Sequence, residues 1–289
     1  MRTAVIDREL DTARHQGAVR DIIIPPCPEL LNELRAQVHL VDPEPGEIAR
    51  IASGDVAMAA ALMRWVNSPL YSRARPAQTV AQAIAMLGVR PAMQLLTGFL
   101  TRHSIQVNSP LLEHFWESST RRAMATAHIA RQLYSVDVDL AHSFGLFCHV
   151  GLPIMMQGVR GYSGTLTEAM ARQDRSFTET ENLAHRTDHA VVGAIVARTW
   201  RFPAVLTHAV RLHHDFTVLG DKSVTTDVRT LVAAGLVADY LVQDFEGLDE
   251  PKEWRLFGSQ CLTHLQVKES ELAHWADALA PAFEAAAVA

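Results

Sequence analysis

The sequence predicts an all-α protein, a multi-helix bundle in two packed helical halves with further helices toward the C-terminal end. Three observations predict it. Apolar residues recur every three or four positions along nearly the whole 289-residue chain, the period of a helix with one buried face. Residues that start helices stand just ahead of apolar runs at Asp55, Thr79 and Ser109. Strand signals are thin, since Ile22-Ile23-Ile24 is the one β-branched run and is too short to found a sheet.

Taken in order, residues 1–19 read as an extension. It opens on the charged Arg2, Asp7, Arg8, Glu9 and Asp11 and has no apolar core of a secretory signal. Leu30, Leu31, Leu34 and Val38 then stripe one face of a helix over 28–40. A short helix over 47–51 follows the breakers Pro43, Pro45 and Gly46. Asp55 is placed to cap a helix over 56–66 by accepting from unpaired backbone N–H groups, and Asn67, Ser68 and Pro69 turn the chain out of it. Thr79 opens a helix over 80–87, which Gly88 terminates in the manner of a left-handed cap. Pro91 begins the next, through His103.

Residues 103–109 read as a linker between the halves. Ser109-Pro110 is a second start signal, a capping residue with proline at the first helical position. The stripe behind it is Leu111, Leu112, Phe115, Trp116, Ala123, Ala127, Ala130, Leu133 and Tyr134. Further helices are expected over 140–149, 166–171, 178–198, 203–214, 226–242 and 269–287, with a transition near 216–225 at Gly220, Asp221 and Lys222. The expected division is an extension over 1–19, a domain over 20–215 with halves 20–105 and 110–215, and a C-terminal helical extension over 216–289.

Composition narrows the function classes. A hydrophobic fraction of 48% with 20% charged residues is that of a globular chain and argues against disorder. A net charge of -6 offers phosphate backbones no global attraction, so nucleic acid is not an expected partner. Arg121-Arg122 and the run 73–75 are small local basic candidates. Cys27, Cys148 and Cys261 lie far apart with no CxxC pair, which points to a reducing, cytoplasmic setting. The longest uncharged stretch, 140–159, carries Pro153 and several glycines. A membrane span needs about 20 predominantly apolar residues, so this stretch reads as a buried helix end followed by a turn.

Several isolated features have structural readings. Cys148 beside His149 suggests a thiol and its base, but helix neighbours do not face each other, and a free cysteine behaves as a small buried hydrophobe. Trp65, Trp116 and Trp200 fall on apolar faces, and Met155-Met156 reads as core. The glycine-rich stretch 158–164 follows no strand and opens no GKS or GKT helix. It is therefore a flexible loop and contact surface, not a phosphate loop. His213-His214 are adjacent on an expected helix, where neighbours point about 100° apart, so one is expected to face any given site and the other to be exposed.

The run Ile24-Pro25-Pro26-Cys27-Pro28 with Leu30 and Leu34 resembles the opening of an HDOD domain. So do Asp55-Val56-Ala57-Met58, Leu62, Arg64, Val66, Asn67-Ser68, Thr79, Ala83-Ile84 and Leu87-Gly88. Phe115-Trp116, Ala141, Gly145-Leu146, His149, Gly151, His189, Gly193, Trp200, Pro203 and His213-His214 extend the resemblance over residues 20–215. HDOD domains are degenerate relatives of the HD phosphohydrolases, among them the HD-GYP enzymes that cleave cyclic dinucleotides. The resemblance implies an HD-like helical bundle and a role in bacterial signal transduction.

An active HD site holds one or two divalent ions with imidazoles and a bridging Asp, and metal-bound hydroxide attacks phosphorus. The resemblance puts Val150 where that Asp would follow His149, Ser118 where a first His would stand, and Asp239 near the last ligand position. Affinity depends on ligand number and geometry, so two lost ligands should remove most of it. His149, His189, His213, His214 and Asp239 are therefore expected to be vestigial, with no metal, no cofactor and no catalytic residue. The expected function is regulatory. A signalling protein is the expected partner, a cyclic nucleotide the alternative ligand, and the C-terminal helices a cap or a homodimer surface; no membrane is involved. The rival is a metal-dependent phosphohydrolase with an altered site, its carboxylate supplied by Asp188, Asp215 or Asp239.

Overall fold

A computed structural model of the protein describes residues 2–16, 19–38, 40, 42–68, 76–133 and 136–286; Pro69, the run 73–75, Tyr134 and Ala287 lie outside them. The structure is 75% helical, with no strand among the described residues. In chain order the helices are α1 (Arg2–Gln16), α2 (Glu29–Val38), α3 (Pro45–Ser53), α4 (Val56–Val66), α5 (Val80–Leu87) and α6 (Val89–Ser104). There follow α7 (Phe115–Leu133), α8 (Val138–Phe147), α9 (Gly151–Gly158), α10 (Tyr162–Ala171) and α11 (Phe177–His185). The last are α12 (His189–Thr199), α13 (Ala204–Leu212), α14 (Thr226–Phe245), α15 (Lys252–Leu265) and α16 (Glu269–Ala286).

The chain forms two compact units, one of Met1–Pro25 and Val107–Ala276, the other of Pro26–Gln106 and Asp277–Ala289. In the second unit α2 to α6 close over a core that includes Leu31, Leu34, Ile48, Ile51, Met58, Leu62, Ile84 and Leu96. The caps are local. The Met58 N–H donates to Asp55 at 2.8 Å and the Gln82 N–H to Thr79 at 3.2 Å. Asn67 does more than end α4: its side chain accepts from the Ala77 N–H at 2.8 Å and donates to the Ala77 carbonyl at 3.1 Å, closing the connection to α5. Gly88 takes φ 88° and joins α5 to α6 at a bend of 116°, so α6 begins at Val89, ahead of Pro91.

The first unit carries the histidines. α7 packs closely on α8, where Gly145 leaves no room for a Cβ, which would stand 2.7 Å from Ala123 Cα. α14 packs on α7 and α15, and α12 on α9 and α13. Trp200 is fully buried and donates its indole N–H to the Pro25 carbonyl at 2.8 Å.

Several expected boundaries moved. The run 178–198 is two helices, because Arg186 adopts φ 57° and ends α11, and Asp188 caps a new start by accepting from the Val191 N–H at 2.9 Å. Ser109-Pro110 opens a single 3₁₀ turn, Pro110–Leu112, before α7 begins at Phe115. The stretch 140–159 holds a second helix, α9, after a turn at 148–150. Val138–Gly158 together is long and apolar enough to cross a membrane, and 67% of its most apolar window is buried within the protein. The glycine-rich stretch is mostly helix, since α10 begins at Tyr162 directly after Gly161 at φ 79°.

Residues 2–16, read as an extension, form α1. It buries Ile6 and Leu10 against α12 and α13 and is flanked by charge pairs. Asp7 meets His208 at 3.0 Å, Glu9 meets Arg211 at 2.6 Å and Asp11 meets Arg198 at 2.9 Å.

Candidate functional site

Four histidines converge in the first unit. His149 stands in the turn between α8 and α9, His189 is the first residue of α12, and His213-His214 follow the last residue of α13. One nitrogen of each ring points inward, and these four atoms all lie within 4.8 Å of one another. His149 Nδ1 is 3.3 Å from His189 Nε2 and 3.2 Å from His213 Nε2. His189 Nε2 is 3.2 Å from His213 Nε2 and 3.0 Å from His214 Nε2.

Backbone packing brings them there. A Cβ on Gly151 would stand 2.8 Å from the His189 carbonyl carbon and 2.9 Å from the Gly193 nitrogen, so only glycine lets the start of α9 lie against α12. Asp188 holds the start of α12 in register, accepting from Asn182 Nδ2 at 2.6 Å as well as capping. Both His213 and His214 face the cluster, contrary to the expectation that one would be exposed. The helical spacing argument does not reach them, because α13 ends at Leu212.

The outward nitrogens fix the tautomers. His189 Nδ1 lies 2.7 Å from Glu181, His214 Nδ1 2.8 Å from Glu253, and His213 Nδ1 2.6 Å from the Val210 carbonyl. His149 Nε2 faces Asp239 at 3.5 Å. Each partner is an acceptor, so each outward nitrogen carries the proton and donates it. In the neutral rings the inward nitrogens are then four bare lone pairs.

Electrostatics favour the neutral ring at His149 and His213 and the charged ring at His214. Burial pushes His149 down to about 3, with the Arg122 guanidinium adding to it. Burial and the neighbouring rings hold His213 well below its ordinary value. At His214 burial acts downward, but the Glu253 carboxylate outweighs it and the net shift is upward. Burial works against ionising Asp239, yet Arg122 and His149 together hold its carboxyl below the usual range.

The other residues singled out by sequence fall elsewhere. Val150 is buried and apolar. Ser118 donates to Glu246 at 2.8 Å. Asp188 is a helix cap, and Asp215 caps the turn after His214 while pairing with Arg2, so neither supplies a carboxylate to the inner face. Asp239 pairs with Arg122 and backs His149 from outside. Arg121-Arg122 form no basic patch, since Arg121 meets Glu246 at 2.6 Å and both arginines are largely buried in ion pairs. Cys148 is buried, and burial pushes its thiol up to about 12, which suits an inert side chain. Met155 is core and Met156 is half-buried beside Val107, Leu112 and Pro153.

Sequence reasoning missed Glu181, Glu253, Tyr162 and Phe177. Glu181 is fully buried, accepts from the Tyr162 hydroxyl and the His189 backbone N–H, and so holds His189 rigidly. Burial, and then Glu181, raise the Tyr162 phenol, which stays a donor. Phe177 covers the cluster, edge-on to His189 at 5.2 Å and parallel to His214 at 6.1 Å. No local motif marks these residues; they are recognisable only as acceptors and aromatic cover once the rings are placed.

A family model described as HDOD domain matches residues 24–216. An uncharacterized protein of Treponema pallidum (strain Nichols) is 23% identical over 217 residues, which cover 73% of this chain and 42% of the relative. The chain thus spans less than half the length of that relative. A candidate signal transduction protein from Marinobacter aquaeolei VT8 superposes with TM-score 0.75 at 15% identity, covering 100% of this chain and 65% of that one. A phosphohydrolase candidate from Shewanella amazonensis SB2B gives TM-score 0.70 at 18% identity, covering 98% and 97%. An HDOD domain protein from Geobacter sulfurreducens gives 0.68 at 19%, covering 95% and 98%. At such identities the likeness is one of fold.

Proposed function

The chain belongs to the HDOD family, and on that premise we propose that it is a regulatory module of signal transduction that binds a partner protein and hydrolyses no phosphoester. One observation carries this reading: among the described residues no carboxylate reaches the inner face of the histidine cluster. The position after His149 is the buried Val150, and Glu181, Asp239 and Glu253 each stand behind a ring, engaged with its outward nitrogen.

Metal-assisted hydrolysis needs an open coordination position for water, and two-ion sites need a ligand that bridges them. Four imidazole donors around one point leave neither. The solved relatives of this fold bear names from both classes, a phosphohydrolase candidate and a signal transduction candidate, so the ligand set is what separates the readings. The hydrolase reading requires Asp239 to leave Arg122 and turn onto an ion from 3.5 Å behind His149.

The test is turnover by the full chain, supplied with Mn2+, Fe2+ or Zn2+, on phosphomonoesters, linear phosphodiesters and cyclic dinucleotides. No turnover above a protein-free control is expected. Turnover that vanishes in His149→Ala would sink the regulatory reading.

A further inference from the structure

We propose that His149, His189, His213 and His214 form a closed, four-coordinate site for a single divalent ion of the Zn2+ class, which ties three elements of the first unit together and performs no chemistry. The inference uses ligand geometry and stands apart from the regulatory reading above.

The first argument is the proton count. All four outward nitrogens donate to acceptors, at Glu181, Glu253, Val210 and Asp239. The inward nitrogens all lie within 4.8 Å of one another, and four of their six separations are 3.0 to 3.3 Å. Among the described residues no other donor is aimed into that space, and lone pairs at this range repel while the rings are neutral. A cation at the common point turns the repulsion into four bonds. The same arrangement, an imidazole bound on one nitrogen and held by a carboxylate or carbonyl on the other, is how ligating histidines are oriented and made more basic.

The second argument is shape. His149 Nδ1, His189 Nε2 and His213 Nε2 form a nearly equilateral triangle with sides of 3.3, 3.2 and 3.2 Å. A tetrahedral ion with nitrogen ligands at about 2.0–2.1 Å has donor–donor edges of about 3.3–3.4 Å. A square-planar site is ruled out, because any three corners of a square include a diagonal about 1.4 times its side, the geometry of Cu(II) or Ni(II). The fourth donor, His214 Nε2, sits 3.0 Å from His189 Nε2 and within 4.8 Å of the other two, so a small movement of its ring completes the tetrahedron.

The third argument is charge. The shell behind the rings holds three carboxylates, Glu181, Glu253 and Asp239, against one guanidinium, Arg122. Arg121 does not offset the difference, since it is paired with Glu246. Two negative charges are left in a shell whose side chains are at most 20% exposed, and a divalent ion cancels both.

Val150 and Ser118 stand where two ligands of an active site would be. The cluster replaces them with both His213 and His214, so the donor number is restored to four without a carboxylate. Closed four-ligand sites are the structural kind, and catalytic ones keep a position open. Because its ligands come from the α8–α9 turn, the start of α12 and the end of α13, an ion here fastens those elements together.

The experiment strips the full chain with a chelator and titrates Zn2+ against a chromophoric competitor, with circular dichroism confirming the fold. One equivalent should bind, and at free Zn2+ a hundredfold above Kd the Tm should rise by about 5–10 °C. Co2+ in its place should show the intense visible absorption of a tetrahedral nitrogen site. His214→Asn and His149→Gln, at the two less buried ligands, should each lose the Co2+ spectrum. Glu181→Gln, which keeps the fold's hydrogen-bonding shape, should weaken Zn2+ by about 10- to 100-fold. A folded chain that takes up less than a tenth of an equivalent overturns the inference. So does a weak six-coordinate Co2+ spectrum, or two bound ions. Phosphoester turnover by the one-ion protein would sink the regulatory reading and leave the site standing.

Discussion

Gly151→Ala tests the packing that sets the whole cluster. The added Cβ would stand 2.8 Å from the His189 carbonyl carbon and 2.9 Å from the Gly193 nitrogen. Carbon atoms in contact sit about 3.5–4.0 Å apart, so the start of α9 and α12 must separate by about 1 Å. Both obstacles are helix backbone, so no side chain can swing aside to absorb the strain. Overpacking a core typically costs about 1–3 kcal/mol, and a backbone-on-backbone clash belongs at the top of that range. For a unit of this size about 3 kcal/mol corresponds to a Tm lower by about 6–12 °C, read by calorimetry or far-UV circular dichroism. Gly164→Ala is the control, because Gly164 lies within α10 with nothing within 4 Å of its Cβ position, and alanine there should be neutral or slightly stabilising. The same 1 Å separation would move His149 from His189, now 3.3 Å apart nitrogen to nitrogen, and loosen any bound ion. A Gly151→Ala protein melting within about 2 °C of the parent would refute the close approach.

Three further outcomes are expected. His142 is buried, and burial pushes it down to about 4 from 6.5, so the unfolded chain takes up the proton first. Its contribution is present above pH 6.5, is lost as pH falls from 6.5 to 4, and is on the order of 3 kcal/mol; urea midpoints of His142→Leu should lose that part of the pH slope. On α1, Leu10→Ala should cost about 2–3 kcal/mol, because Leu10 is fully buried, whereas Glu9→Gln should cost at most about 1 kcal/mol, because its bond to Arg211 is half-exposed; equal losses in chemical denaturation would contradict the assignment of what anchors this helix. Arg122→Met should cost about 3–5 kcal/mol by stranding the Asp239 carboxylate, and Arg122→Met with Asp239→Leu should recover much of it; an additive double mutant would show that the two side chains are not coupled.

How much of this could be read in advance depends on how far each interaction reaches along the chain. The caps at Asp55 and Thr79 act on the N–H group three residues on, and both were legible. Periodicity located α4, α5, α14 and α16 because an apolar stripe is a local pattern. It missed α1, whose burial rests on Ile6 and Leu10 alone, among charged residues that pair with α12 and α13. It ran through the break after α11, because nothing apolar changes at 186–188, where the left-handed Arg186 and the Asp188 cap reset the helix.

The histidines were legible as a set, and their environment was not. Glu253 approaches His214 across 39 residues from beyond the matched family region, so no spacing rule points to it; Asp239 was a candidate ligand through the resemblance, but its place behind His149 and against Arg122 was not legible. Such distant carboxylates also decide what the histidines are. Counting only what the chain lacks, at Val150 and Ser118, makes the cluster a remnant. Counting the acceptors behind each ring instead turns four imidazole nitrogens inward, with three carboxylates against one guanidinium around them. A remnant site freed of its ligand has no physical reason to keep three buried carboxylates behind rings that face one another, since each costs desolvation energy that neutral side chains would avoid. Positive charge at the centre of the cluster offsets those carboxylates, and that demand belongs to the shell around the histidines, not to the histidines themselves; Glu253 already pushes His214 toward its charged form.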